Sequence, residues 1–448
     1  MIKDLTVGKP QNVLWRFSLP LFMSAIFQQL YSIADSVIVG KFVGENALAA
    51  VGASYPVTMI FIAIAIGSNI GCAVVISSLF GEHKYRQMKT AIFTTLISIT
   101  AMALILTAVG ISSSKILMHL LDTPSNIFVD SRLYLNIYIG GLLFQFLYNV
   151  CNGVFTSLGD SKTPLYFLIG SSVGNVILDL IFVVVLHMGV AGVAWATFLA
   201  QGIACLLSCI TLLVRIKTIR TEPYQFFSFP ILGSIARIAV PSILQQSFIS
   251  IGNIFIQRLI NGYGSSVIAG YSSAIKINTF ATTCMTTLAN GLSSFAAQNF
   301  GAKKFDRVRQ GLKSGFCMAL VIAVFFTLLY CIFSRQLIAF FMESSKNSYF
   351  AIDTGRTFLL IVTPFYFAPA IKLMADNTLR GIRSINYFMI STFFDLVLRV
   401  ILSYILSPIW GTIGIWISWP IGWVLSTIMS LIFCRLCMNT LENRWTSS

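Results

Sequence analysis

A chain of 448 residues with 56% hydrophobic and 10% charged side chains is not a soluble globular protein, because soluble domains carry about 25% charged residues. A mean hydropathy of +0.84 makes it an integral membrane protein. The net charge of +15 invites a nucleic-acid reading, but the basic residues fall in short segments between apolar runs, where they set orientation in a bilayer, and no nucleic-acid partner is expected.

A membrane-spanning helix needs about 20 mostly apolar residues. Twelve such stretches follow one another at 13–40, 48–79, 90–111, 130–156, 163–186, 189–214, 236–260, 265–298, 313–333, 355–378, 385–407 and 411–437. Strict apolar–polar alternation, the mark of a membrane barrel, is absent. The expected fold is an all-α membrane protein of twelve transmembrane helices. The first apolar run, after "MIKDLTVGKPQNVLWRF", is too long for a secretory-signal core and no small-residue cleavage site stands out. Twelve crossings put both termini on one side. Twenty Lys and Arg lie in the segments at 3–16, 84–89, 162, 215–237, 303–313, 380–383 and 435–444. Only seven lie in the opposite set, Lys41, Lys115, Arg132, Arg258, Arg335, Lys346 and Arg356. This bias predicts a multi-pass protein of the plasma (inner) membrane with both termini cytoplasmic.

The chain repeats itself. Pro20 answers Pro241, "LFGEHKYRQMK" (79–89) answers "NFGAKKFDRVR" (299–309), "SLGDSK" (157–162) answers "LRGIRS" (379–384), and "GVAGVA" (189–194) answers "GTIGIW" (411–416), always 220–222 residues on. Each unit holds an even number of helices, so both enter the membrane in the same orientation, a parallel repeat of the kind secondary transporters use. The expected organisation is two pseudo-symmetric six-helix lobes, 1–214 and 237–448, joined by a cytoplasmic linker at 215–236.

Four acids lie inside spans: Asp35, Asp179, Asp376 and Asp395. In the C-terminal half each has a cation four residues away, Lys372 with Asp376 and Arg399 with Asp395, on one helix face. These pairs read as structural self-neutralisation. In the N-terminal half no span carries Lys or Arg away from its ends. Asp35 and Asp179 have only neutral oxygens nearby in sequence, such as Asn175, Ser32 and Ser36. Intramembrane ionisable groups mark ion or proton paths. Such carboxylates can take up and release a proton, or join amide and hydroxyl oxygens around a sodium ion. The repeat sets Asn175 against Asp395 and Asp179 against Arg399, so one polar helix face is self-paired in one half and open to a cation in the other.

The ordered set "LYSIADSVIVGKFVG", "YLNIYIGGLLFQFLYNVCNGVFTSLGDSKTPLYFLIGSSVGNVILDLIF", "GVAGVAWAT" and "AAQNFGAKKFDRVR" resembles the multidrug and toxic compound extrusion (MATE) family over nearly the whole chain. The resemblance implies a cation-coupled antiporter that exports organic, cationic amphipathic compounds by alternating access, with a proton or sodium ion as coupling ion. It implies a cation site at Asp35 and Asp179 with Asn175, Thr197 and Tyr134 as partners; a sodium ion would sit at Asp35, Asn175, Asp179 and Thr197. It also implies a bend in the first helix at Pro20. Helix seven has no acid, and Asp376 on helix ten is off the family's spacing before "LRG", so no second coupling site carries over to the C-terminal half. The rival reading is a lipid or lipid-linked oligosaccharide flippase of the same wider superfamily, which would want a more basic cavity than Lys276, Lys372 and Arg399 offer.

Other patterns carry less. Cys72, Cys151, Cys284, Cys317 and Cys331 sit in apolar runs as small hydrophobic filler, and "CRLC" at 434–437 has neither a second pair nor a nearby His. His83, His119 and His187 are scattered, and neither "HExxH" nor "GxSxG" occurs. Phe61, Phe144, Phe146, Tyr148, Phe280 and Met285 fit lipid-facing packing or adaptable substrate contacts. No enzyme activity and no cofactor are expected, and the partners are small organic substrates and the lipid bilayer around a monomer.

Overall fold

The computed structural model describes residues 3–38, 42–43, 45–341 and 348–446. Lys41 and Lys346 lie outside them. Among the described residues the secondary structure is helical throughout. The N-terminal half holds α1 (Pro10–Ile38), α2 (Glu45–Gly81), α3 (Tyr85–Leu120), α4 (Phe128–Gly140), α5 (Leu142–Ser157), α6 (Lys162–Asp179) and α7 (Gly189–Thr218). The C-terminal half holds α8 (Phe229–Asn261), α9 (Ser265–Gly301), α10 (Phe305–Ala339), α11 (Ser348–Val362), α12 (Phe367–Gly381), α13 (Ile385–Trp410) and α14 (Thr412–Thr446).

Hydrocarbon offers no hydrogen bonds, so a spanning backbone must satisfy itself as helix. Embedded hydroxyls do the same, bonding back to the carbonyl one turn earlier: Thr95 to Ala91 at 2.7 Å, Ser242 to Ile238 at 2.9 Å, Thr286 to Thr282 at 2.8 Å. Nine described helices are long and apolar enough to cross a membrane, and eleven spans result when α4–α5, bent by 47°, and α11–α12, bent by 54°, each count as one. Helix α9, with 37 residues, is the twelfth expected span. It falls short in hydropathy because it is rich in Ser, Thr and Asn. More than half of it is buried against protein, including Tyr271, Leu288 and Phe295, so it meets little lipid. Lipid-facing stripes stand out on α3 (Leu104, Ile105, Val109) and α10 (Val324, Phe325, Leu328), all exposed.

The repeat is visible in the backbone. His83 (φ 57°) and Lys303 (φ 59°), 220 residues apart, both take the left-handed conformation after a helix. The next residue then bonds back five positions, Lys84 N–H to Leu79 O at 3.0 Å and Lys304 N–H to Asn299 O at 2.8 Å, which caps α2 and α9 alike. Gly189 (φ 58°) and Gly411 (φ 61°) start α7 and α14 the same way.

Two compact units emerge. Unit 1 comprises Met1–Asp4 and Met23–Leu244; unit 2 comprises Leu5–Phe22 and Gln245–Ser448. Unit 1 therefore takes the first part of α8 with Pro241. There Gly71 of α2 meets α8 so closely that a Cβ would lie 2.5 Å from that of Ala239. Unit 2 takes the first part of α1 with Pro20, against Gly291 of α9, where a Cβ would lie 3.2 Å from Ser18 Oγ. The core of unit 1 includes Ile76, Met88, Phe146 and Phe155. That of unit 2 is aromatic: Trp416 stacks on Tyr271 at 5.2 Å and meets the edge of Phe358 at 5.0 Å.

Candidate functional site

Unit 1 gathers the residues expected at the cation site. Asp35 comes from the second half of α1, Asn175 and Asp179 from α6, Thr197 from α7 and Tyr134 from α4. Asp179 is the last α-helical residue of α6. The chain then widens into a π-helical turn, Leu180–Val185, a distortion found mostly at functional positions. Val183 of this turn packs with Ile127, Val190 and Val193, and Tyr134 leans on that cluster.

Asn175 and Asp179 are buried. The Asp179 carboxyl group lies close to that of Asp35. Among the described residues, both Asp179 oxygens and Oδ1 of Asp35 have no hydrogen-bond partner, and neither has Asn175 Nδ2. The Tyr31 hydroxyl donates to Asn175 Oδ1. It also has Thr197, Tyr134 and both carboxyl groups as neighbours. Among the described residues, no ammonium or guanidinium acts on Asp35 or Asp179. The arrangement is thus a pair of neighbouring acids ringed by amide and hydroxyl oxygens. Such a set is chemically suited to share a proton, or to hold a hard cation such as sodium. Among the described residues, no His, Cys, Asp and Glu group of three or more has metal-site geometry.

Tyr31 was not foreseen. It lies four residues before Asp35, on the same helix face, and that spacing was the available signal. Tyr134 and Thr197 also line a small cavity of about 30 Å³ with Tyr138, Gln145, Phe198 and Gln201. Tyr138 and Gln145 hydrogen-bond each other at 3.0–3.1 Å. Of the aromatic and Met positions noted in the sequence, Phe61, Phe146, Tyr148 and Met285 are buried packing residues.

The C-terminal charges form a different cluster, wholly within unit 2. Lys372 Nζ lies 2.7 Å from Asp376 and 3.9 Å from Asp395, serving both acids. Ser391 and Ser430 donate to the other Asp376 oxygen at 3.0 and 2.7 Å. Arg399 lies over the ring of Trp419 at 4.3 Å instead of closing on Asp395, whose Oδ1 has no partner among the described residues. Pro20 lies inside α1.

Comparison with known proteins agrees with this fold. The MatE family model matches residues 20–181 and 241–405, one stretch in each half of the chain. The probable multidrug resistance protein YoeA of Bacillus subtilis (strain 168) is 25% identical over 445 residues, 95% of this chain and 94% of the relative. The probable multidrug resistance protein YpnP of the same organism is 25% identical over 433 residues, 96% of each. The outward-facing conformation of a multidrug resistance MATE family transporter of the MOP superfamily superposes with a TM-score of 0.93 at 24% identity, over 99% of this chain and 98% of that one. With its two matched halves, its apolar helices and its relatives along nearly the full length, the chain belongs to the MatE family of multidrug efflux transporters.

Proposed function

We propose that this transporter is a cation-coupled antiporter that exports organic, cationic amphipathic compounds across the plasma (inner) membrane, as a monomer with both termini cytoplasmic. The observation that carries this reading is the pair of neighbouring carboxyl groups, Asp35 and Asp179, with orphaned oxygens and, among the described residues, no cationic side chain acting on them. A carboxylate at bilayer depth costs about 2.5–3.5 kcal/mol on insertion scales, and a bound proton or sodium ion offsets that cost. The ion binds Asp35 and Asp179 from outside, with Asn175, Thr197 and Tyr134 completing its surroundings. Its binding favours the state that takes substrate from the cytoplasm, and the lobes return by alternating access with the substrate released outward. The flippase reading finds less support, because Lys372, which a basic cavity would need, is engaged by Asp376 at 2.7 Å.

Uptake of ethidium from the medium into everted vesicles, under a proton gradient or a sodium gradient imposed separately, tests this directly. One gradient should drive transport. Asp179→Asn and Asp35→Asn should each reduce the driven rate at least tenfold while leaving protein abundance and ethidium binding near the parent's. Coupling that survives Asp179→Asn under both gradients would refute the assignment.

A further inference from the structure

A bound ion must also leave, and α5 offers a route. Its sequence "LLFQFLYNVCNGVFTS" has no charged residue, yet Gln145, Asn149, Asn152 and Thr156 recur at helical spacing along one face. All four are partly exposed, whereas Phe146, Val150, Cys151, Val154 and Phe155 on the other faces are fully buried. From Gln145 to Thr156 the rise is about 16 Å at 1.5 Å per residue, close to half of a hydrocarbon core about 30 Å thick. The stripe begins at the cavity lined by Tyr134, which neighbours both acids, and by Thr197, which neighbours Tyr31. That cavity, at about 30 Å³, has room for two water molecules at about 10–15 Å³ each, and the hydroxyls and amides around it supply the two to four partners each water needs. The stripe ends at Thr156, one turn before Asp160 in the α5–α6 turn, which holds Arg215 of α7. Along the way Asn152 Oδ1 has no partner among the described residues, and Asn69 of α2 packs against Gly153 beside it.

Resting on the coupling role of Asp35 and Asp179, we infer that this cavity and the α5 stripe form the hydrated path along which the coupling ion leaves for the cytoplasm. Amides and hydroxyls both donate and accept, so they hold water in either orientation. Having no fixed charge, the stripe neither traps a cation nor repels it.

Two measurements test the path. First, Asn149→Cys and Asn152→Cys, on a background lacking the native cysteines, should react with a small impermeant cationic methanethiosulfonate from the cytoplasmic side, while Val150→Cys should not. Second, Asn152→Leu and Gln145→Leu should slow gradient-driven ethidium transport about tenfold. The ethidium Kd and the thermal shift produced by sodium chloride over choline chloride, or by lowered pH, should stay as in the parent. Asn152→Gln should restore most of the rate. Inert cysteines at 149 and 152, or unslowed leucine variants, overturn the path. A weakened ethidium Kd would make the stripe a substrate wall instead, and a lost ion-induced shift would make it part of the ion site; either outcome also overturns it. If the parent itself shows no gradient-driven transport, the coupling reading fails, and labelling at 149 and 152 would then report only a water-filled groove.

Discussion

Deleting the ammonium of Lys372 probes the C-terminal cluster. Lys372→Met keeps the apolar stem and removes the charge that stands 2.7 Å from Asp376 and 3.9 Å from Asp395. Lys372 and Asp376 are buried, with side chains only 7% and 3% exposed, so water cannot replace the lost partner. Breaking a buried pair from one side costs about 3–5 kcal/mol. Asp376 retains its two serine donors, each worth about 1 kcal/mol or somewhat more to a charged acceptor, which places the cost near the lower end, about 3 kcal/mol. Unit 2 has roughly 220 residues, a size at which 1 kcal/mol moves the Tm by about 2–4 °C. The expected fall is therefore roughly 6–12 °C, measured by thermal unfolding of the purified protein in detergent.

Adding Asp376→Asn to Lys372→Met should recover part of that loss, because it removes one of the two stranded charges. Protein that remains folded should still couple transport to its gradient, since the proposed ion site lies in unit 1. A Lys372→Met variant that melts within about 2 °C of the parent would refute the energetic argument. One that melts normally but no longer couples would move the ion chemistry to this cluster.

Other expectations follow from single contacts. Burial pushes the Asp160 carboxyl up, but the hydrogen bonds it accepts, those from Thr163 and Arg215 among them, together hold it below the usual carboxylate range. A depressed folded value gives stability that is present above the unfolded value of about 3.9 and lost as the pH falls through the folded one. Asp160→Asn should thus melt several degrees below the parent at pH 7, and the two curves should converge below about pH 4. Gly71→Leu should sharply lower the yield of folded protein, because even a Cβ there would meet Ala239 at 2.5 Å, whereas Gly170→Ala, with nothing within 4 Å, should match the parent by size-exclusion chromatography. On a background lacking the native cysteines, Lys303→Cys and Lys346→Cys should label from opposite faces with an impermeant maleimide, and labelling from one face would overturn the twelve-crossing topology.

The helices were legible because lipid leaves the backbone few choices, so length and hydropathy locate them. Helix α9 shows where that criterion stops: surrounded by protein, it can carry Ser, Thr and Asn that a lipid-facing helix would avoid. The two bends were unequally readable. Pro364 announces the short 3₁₀ turn at Thr363–Phe365 between α11 and α12. The α4–α5 bend has no proline; it falls at Gly141, where a Cβ would press on Phe198 and the Tyr138 carbonyl at 3.3 Å, a tertiary restraint the local sequence does not announce. Asp35 and Asp179 stood out as acids lacking a cation at helical spacing. Tyr31 obeyed the same spacing and was passed over because a tyrosine is ordinary in an apolar helix. Sequence distance also misled on Asp395. Arg399 is its neighbour along α13, yet the nearer cation is Lys372, on α12, and the guanidinium has turned to Trp419.

The repeat makes the difference between the halves interpretable. Asn175 and Asp179 on α6 correspond, 220 residues on, to Asp395 and Arg399 on α13. Both helix faces are polar and at least partly buried, so hydrophobic packing alone explains neither. On α13 the acid has a resident ammonium within 3.9 Å, and the cluster needs nothing from solution to approach neutrality. On α6 the amide stands where the acid would be and the acid where the arginine would be, and the second carboxyl group comes from Asp35 on α1. That exchange leaves two acids with no resident cation among the described residues. A buried charge must be neutralised by a partner or by protonation. Where the chain supplies the partner, the charge is fixed; where it does not, the neutralising ion has to come and go with the solution. A transporter that spends an ion gradient needs one such place, and in this chain it is expected in unit 1.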